Sequence, residues 1–229
     1  MSRRINNLFS GIYEKYDMMN HLFSLGFDIR WRKKAAQLAF IAKQNINILD
    51  FGTGTGDLAF ELHGLYAAHG IRADITGLDF NSKMLSVGMR KAKERGITDI
   101  RFARGDAAHT GYRTGSFDLI VSGFTLRNID NLSDLSAECR RLLRPGGRIM
   151  FLDMAYPDNA LEKAYFDFHL SMMGIIGSAV NKEAYTWLVE SIRKFDKQKL
   201  INILSKDFKD IETHMMTPGI AYAVIGKRR

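Results

Sequence analysis

The sequence predicts an α/β protein built on a seven-stranded, mostly parallel, doubly wound sheet. Three observations predict it. Short apolar runs alternate with amphipathic stretches of helical period along the middle of the chain. The first of these runs, Ile46–Phe51, leads into a loop crowded with Gly52, Gly54 and Gly56 and then into a helix, the opening half of a nucleotide-binding βαβ unit. The last two apolar runs lie so close together that they must pair as an antiparallel hairpin.

Each element has its own signal. Ile5, Leu8, Phe9, Ile12, Tyr13 and Tyr16 recur at helical spacing, and a break around Ser24–Asp28 separates them from Trp31, Ala35, Leu38 and Ala39. Residues 1–44 therefore read as a helical layer, placed to act as a lid over the mouth of the sheet. Strands are expected at 46–51, 74–79, 99–104, 117–122 and 148–154, with helices at 57–68, 81–95 and 131–143 between them. Asp57 and Asn81 suit helix starts. Pro145-Gly146-Gly147 stops the helix at 131–143 and turns the chain into the fifth strand. Residues 158–195 read as helices without an intervening strand, a cap. A helix at 196–206 and strands at 208–215 and 220–226, turning at Thr217-Pro218-Gly219, close the chain. With three prolines and no linker-like stretch, this is one domain: lid 1–44, core 45–157, cap 158–195, and closing helix and hairpin 196–229.

Composition bounds the function. The chain has 229 residues, 46% of them hydrophobic and 25% charged, as expected of a globular protein with a sizeable core. No apolar stretch reaches membrane-spanning length, and MSRRINNLFSG lacks the apolar segment of a signal peptide. The single cysteine, Cys139, excludes an intrachain disulfide and a zinc site with several thiolates, and no metal site is expected. The expected compartment is the cytoplasm, with peripheral contact to the inner face of a membrane. The net charge of +8 suits an anionic membrane surface or simple solvation. Nucleic acid is not the expected partner, because the basic clusters are spread along the chain and no nucleic-acid-binding module occurs. A homodimer is compatible with the sequence.

The glycine loop discriminates between cofactors. A dinucleotide fingerprint needs Gly-x-Gly-x-x-Gly, and counting from Gly52 and Gly54 its third glycine falls on Asp57. The run is instead Asp-x-Gly-x-Gly-x-Gly, Asp50 through Gly56, which resembles the first motif of S-adenosylmethionine-dependent methyltransferases. Asp79 ends the next strand about 20 residues further on, where a carboxylate can accept both hydroxyls of a ribose.

Further stretches narrow the resemblance. Tyr16-Asp17-Met18-Met19-Asn20 with Ser24, Gly26 and Trp31, Leu126-Arg127-Asn128, Arg141–Arg148, LDFGTGTGDLA, GLDFNSKML and Glu190–Arg193 together resemble the C-methyltransferases of menaquinone and ubiquinone biosynthesis, over nearly the whole chain. That resemblance implies a Rossmann-like class I methyltransferase fold and S-adenosyl-L-methionine as cofactor. It places Thr55 and Asp79 on the cofactor and Asp106-Ala107 beside its adenine. The candidate cofactor-binding set is Asp50, Gly52, Gly54, Thr55, Gly56, Asp79, Met84, Asp106, Ala107 and Gly123. The implied acceptor is a prenylated quinol such as demethylmenaquinol. Arg127 is the candidate to stabilise phenolate charge, Asn128 to hold the acceptor oxygen or a water, and Tyr16 to relay a proton. The apolar run Met172–Val180 is a candidate receptor for a prenyl tail.

The sequence also departs from that family. Gly123 stands where a serine is usual, Asp153-Met154-Ala155 where Glu-Phe-Ser is usual, and Ile29 where an arginine follows Gly26, with Arg30 displaced by one. The segment before Tyr185 is about two residues short and lacks an aspartate. These changes fall on the acceptor half, so a different small acceptor stays open as the alternative. The third reading is a cofactor-binding regulatory or nucleic-acid-associated protein without this catalysis. His109 reads as an exposed loop residue and His169 as a packed or surface one. Cys139 reads as core, which argues against a covalent thiol mechanism. The Asp/Asn-Pro-Pro-aromatic motif of amino-methylating nucleic-acid enzymes is absent, since the chain has no Pro-Pro pair.

Overall fold

The computed structural model describes residues 3–157, 159–216 and 220–229, and of these it describes 3, 4 and 175–180 by their backbone alone. Seven strands form one sheet: β1 (Asn45–Phe51), β2 (Arg72–Asp79), β3 (Ile100–Arg104), β4 (Phe117–Gly123), β5 (Leu143–Met154), β6 (Phe208–Met216) and β7 (Ala221–Arg228). Their order is β3-β2-β1-β4-β5-β7-β6. β1 to β5 pair in parallel, and β7 runs antiparallel to both β5 and β6. The chain leaves β1 toward β2 and β3, then returns to place β4 on the other side of β1. This reversal opens a crevice at the carboxyl ends of β1 and β4, where ligands of such sheets bind.

The period-two pattern of the strands divides one sheet into two cores. Ile48, Leu119, Val121, Met150, Leu152, Ala221 and Ala223 face one way and their neighbours Leu49, Ile120, Ile149, Phe151, Tyr222 and Val224 the other. The first face is covered by α3 (Phe27–Ala39), α4 (Asp57–Ala68) and α5 (Ser82–Glu94), through residues such as Ala35, Leu58, Leu62 and Ala92. The second is covered by α6 (Leu132–Leu142) and α8 (Lys197–Asp207), through Leu135, Cys139, Leu142, Leu200 and Leu204. Each large aliphatic side chain buried this way contributes about 1.5–3 kcal/mol. Asn81, Asn131 and Asp196 cap α5, α6 and α8 with side-chain oxygens that accept backbone N–H groups of the first turn.

The helical layer before β1 resolves into α1 (Arg3–Ile12), α2 (Tyr16–Phe23) and α3. The expected break falls at Ser24–Gly26, where Leu25 and Gly26 both take positive φ, 51° and 76°. The cap is α7 (Ala160–Lys194), and its helical geometry is interrupted at Asn181. The fifth strand begins earlier than 148. Leu143 already pairs with Phe117, the chain bulges through Pro145-Gly146-Gly147, and pairing resumes at Leu119 and Arg148. A Cβ at Gly147 would lie 2.9 Å from the Arg144 carbonyl and 3.0 Å from that of Asp118, so the bulge needs glycine there. The expected turn at Thr217-Pro218-Gly219 lies outside the described residues.

Candidate active site

The glycine loop leaves β1 at Phe51 and enters α4 at Asp57, with Gly52, Gly54 and Gly56 all at positive φ. The three glycines serve different ends. A Cβ on Gly52 would stand 2.3 Å from the Thr125 side chain, so glycine lets the loop pass under the end of β4. A Cβ on Gly54 would meet Met84 at 3.3 Å, facing the crevice. Gly56 packs the loop onto Phe60 and Phe102. Asp50 lies beneath the loop, fully buried. Its Oδ2 accepts from the Thr53 hydroxyl at 2.7 Å, and its Oδ1 has no partner among the described residues. Burial, eased by Thr53 and worsened by the Asp79 charge, pushes its pKa up to about 7.

Asp79 braces the loop from β2. Its carboxylate accepts the Gly54 N–H at 2.8 Å on one oxygen and the Asn81 N–H at 2.8 Å on the other. Burial raises its pKa against those bonds. Two adjoining hollows open here. One, of about 330 Å³, is bordered by Gly52, Asp79, Asp106, Ala107 and Thr125. The other, of about 350 Å³, is bordered by Gly54, Asp79, Met84, Phe124, Thr125 and Asn128, and is covered by Phe9 and Tyr16 of the lid. The Asn128 side-chain oxygen is buried there without a partner among the described residues. Asp50, Gly56, Thr55 and Gly123 do not border the hollows. Thr55 donates its hydroxyl to Asp17 of the lid at 2.6 Å, and the Cβ direction of Gly123 points to Leu58 at 3.5 Å.

A third and larger cleft, of about 890 Å³, meets the second hollow at Phe9, Tyr16 and Phe124. Its walls are mostly aromatic and aliphatic, from α1 to α3, β5 and α7. Arg127 is the cation in that wall, one residue from Asn128 in a single 3-10 turn at Leu126–Asn128. The guanidinium is almost wholly buried. Its Nε donates to Asp153 at 2.6 Å and its Nη1 to the Ser191 hydroxyl at 2.7 Å, while Trp187 lies under it at 5.8 Å. Among the described residues Nη2 has no hydrogen-bond partner. Asp153 also accepts the Leu126 N–H at 2.9 Å, so one carboxylate holds both the turn and its cation. Tyr16 borders both cavities. Burial raises its phenol pKa, with Asn20, Arg32 and Arg127 offsetting part of the rise. The phenol is thus a proton donor near neutrality.

Charged side chains tie the lid to the loop. Asp28 pairs with Arg32 and accepts from the Ser24 hydroxyl at 2.7 Å. Burial alone would raise its carboxyl pKa, but Arg32 and Ser24 hold it below the usual range. Arg32 reaches Asp57 at 3.7 Å and lies over the Phe124 ring at 5.3 Å. Lys91 bridges Asp57 and Asp17. Asn81 donates to Asn6 and Ser10 of α1 at 2.9 and 2.8 Å.

Sequence reasoning named Arg127, Asn128 and Tyr16, and the structure brings all three to the junction of the cavities. It did not name Thr125, Asp17, Arg32, Ser191 or Trp187 as site residues, and it took Asp153 only as a departure. Phe124 gives no local signal beyond its place after β4, and it takes a positive φ of 60°. His109 is exposed, and His169 borders the large cleft with Nε2 2.7 Å from the Phe23 carbonyl.

The site fits S-adenosylmethionine. It offers a loop passage that only glycine permits at Gly52, a braced carboxylate at the end of β2, and on Asn128 a buried acceptor that has no partner among the described residues. The comparisons agree. The chain matches the ubiE/COQ5 methyltransferase family over residues 1–228. It is 33% identical over 229 residues to the demethylmenaquinone methyltransferase of Bacillus velezensis, covering 98% of this chain and 97% of that protein. It is 31% identical over 225 residues to the ubiquinone/menaquinone biosynthesis C-methyltransferase UbiE of Azotobacter vinelandii, covering 96% and 87%. Among solved structures, a methyltransferase from Thermotoga maritima superposes with a TM-score of 0.68 at 16% identity, covering 97% of this chain and 99% of that one. Phosphoethanolamine N-methyltransferase 2 of Haemonchus contortus, solved with S-adenosyl-L-methionine, superposes with a TM-score of 0.59 at 21% identity, covering 82% and 38%. From this site and these matches, the chain belongs to the ubiE/COQ5 methyltransferase family and is an S-adenosylmethionine-dependent methyltransferase.

Proposed function

We propose that this methyltransferase alkylates a ring carbon of a prenylated quinol, of the demethylmenaquinol type. The observation that carries the reading is the large cleft: a mostly aromatic cavity with one buried guanidinium where it meets the cofactor hollow. Phe9, Phe124 and Trp187 present aromatic surface to a flat ring, Phe9 and Trp187 packed edge to face on one another at 5.5 Å, and the apolar remainder of the wall suits an apolar tail. The names of the curated relatives point to the same acceptor class.

When bound, S-adenosylmethionine supplies an electrophilic methyl group on a sulfonium. The chain's own task is to make the ring carbon nucleophilic and to hold it in line. Electron density reaches the carbon ortho to a ring oxygen when that oxygen has lost its proton and carries negative charge; the carbon–methyl bond forms as the methyl–sulfonium bond breaks, and the same carbon then loses its ring proton, which restores the aromatic ring. Arg127 meets that charge with the nitrogen its two protein partners leave over, and Asp153 and Ser191 keep the guanidinium plane from turning. The protonated Tyr16 phenol donates at the same junction. Asn128 presents an acceptor to whatever donor lies in the cofactor hollow. The lid closes this junction to water, which strengthens each of these interactions.

Incubation of the protein with S-adenosylmethionine and demethylmenaquinol, read by product mass, tests the reading. The expected product is the quinol carrying one added methyl on carbon. An unchanged quinol, with methyl transferred to another small molecule, would replace it with the alternative acceptor.

A further inference from the structure

The amino-terminal part of α7 is apolar on two sides, and only one of them is covered. Phe166, Leu170 and Met173, at helical spacing, line the large cleft. About 100° to 200° around the same helix, Leu161, Tyr165, Phe168 and Met172 follow one another at spacings of four, three and four. Their exposures are 82, 39, 63 and 51%. A helix apolar on both sides belongs in a core or in lipid, and no helix among the described residues is long and apolar enough to cross a membrane.

The stripe joins the mouth of the cleft. Tyr165 lies in both, and it stacks on His169, whose Nε2 reaches the Phe23 carbonyl at the end of α2. The facing rim is the turn from α2 into α3. There Leu25 and Ile29 are 56 and 48% exposed, and exposed Arg30, Lys33 and Lys34 follow on the same helix. Of the acids on the amino-terminal part of α7, Asp167 is already paired with Arg193 at 2.8 Å, and Glu162 lies in the first turn beside Lys163. An apolar stripe on α7 and a basic stretch of α3, whose Arg30 lies over the Phe27 ring of the cleft wall at 5.7 Å, thus flank one cavity mouth, on a chain of net charge +8.

We infer that this face docks the protein on an anionic lipid surface, with the α7 stripe and Leu25–Ile29 in the headgroup boundary and Arg30, Lys33 and Lys34 against lipid phosphates. The cavity mouth then opens into the bilayer, so a lipid-tailed acceptor enters ring first without crossing water. The inference deepens the proposed function, because it supplies the route by which such an acceptor reaches Arg127. A second copy of the chain would cover apolar surface but would set the two basic rims against each other. This favours lipid.

The test is flotation of the full chain with vesicles of phosphatidylcholine alone or of equal parts phosphatidylcholine and phosphatidylglycerol. Binding to the mixed vesicles, falling as salt rises, is expected. The exposed pair Phe168→Glu/Met172→Glu, which does not border the cleft, should abolish it with the circular dichroism melt unchanged. Lys33→Glu/Lys34→Glu should weaken it roughly tenfold or more. Lys199→Glu/Lys206→Glu on α8, the same charge change elsewhere, should have little effect. Binding that survives Phe168→Glu/Met172→Glu, or that falls equally with the α8 pair, overturns the inference. So does a dimer in solution that Phe168→Glu/Met172→Glu splits while vesicles go unbound. The acceptor reading fails separately: a parent protein that binds vesicles but methylates no quinol, tailed or tail-less, keeps the docking face and loses the substrate.

Discussion

Arg127 and Asp153 show how much of the site rests on one buried pair. Their side chains are 2% and 0% exposed, and the carboxylate also holds the Leu126 N–H. Removing one member of such a pair strands the other, at about 3–5 kcal/mol. Asp153→Asn should therefore lower the melting temperature and kcat together while leaving S-adenosylmethionine affinity by calorimetry near the parent value. Arg127→Ala should reduce kcat by about 10²–10³, as loss of a charge-stabilising donor does, again with cofactor affinity kept. A variant at either position with parental turnover of quinol would remove the pair from the chemistry.

Asp79 and Asp50 make separable predictions. Asp79→Ala removes the acceptor of two backbone N–H groups as well as the proposed ribose contact. Calorimetry should show about 1–3 kcal/mol of lost cofactor affinity, and a melt should show lost stability in the apo protein too. Unchanged affinity would exclude Asp79 from the cofactor site. For Asp50, the folded pKa of about 7 lies above the usual carboxyl value, so the folded state holds a proton that the unfolded chain releases. Its contribution is complete at pH below about 4 and is lost as pH rises through about 7. Asp50→Asn should flatten the decline in stability between pH 5 and pH 8 in denaturant titrations; an identical slope in the variant would refute this.

At the scale of elements, α1 and α2 form a lid held by polar contacts. Asp17 accepts from Thr55 in the glycine loop and from Lys91 on α5, and Asn81 donates to Asn6 and Ser10. The sheet's cores draw on α3 and the later helices, with α1 and α2 packing into a smaller cluster around Leu8, Ile12, Met19 and Ala184. Deleting residues 1–23 should therefore leave a folded sheet that melts cooperatively but turns over no acceptor. The milder Asp17→Asn, which keeps the shape and loses the ion pair with Lys91, should raise amide exchange in α1 and α2 while the strands stay protected. Uniform exchange in the two proteins would mean the lid is held by its apolar contacts alone.

Across the molecule, local physics accounts for most of what the sequence disclosed. Strand and helix periods act over a few residues, so the seven strands, the helices between them and the N-cap at Asn81 were legible from side-chain pattern. The glycine loop was legible because three glycines in five residues state a backbone requirement directly. Asp79 was legible through its spacing from them. Tyr16 and Asn128 came instead from family resemblance, and Arg127 from that resemblance together with its place just past the carboxyl end of the fourth strand. The fifth strand was misplaced at its start because Leu143 gains its pairing from Phe117, a partner no window around 143 contains.

The contacts that make a site of these parts join residues far apart in the chain. Asp153 finds Arg127 across two strand ends, Ser191 reaches it from α7, Asp17 meets Thr55, and Thr125 occupies the space a side chain on Gly52 would need. Each depends on which strands are neighbours and how the lid and cap close over them. A sequence carries that information only in the sum of all its packing choices. The residue types, the mostly parallel sheet implied by alternation and the cofactor class were thus written locally. The orientation of Arg127, the meeting of the hollow beside the glycine loop with the aromatic cleft and the apolar rim around its mouth exist only once the chain has folded, because only folding brings them within hydrogen-bonding and van der Waals range.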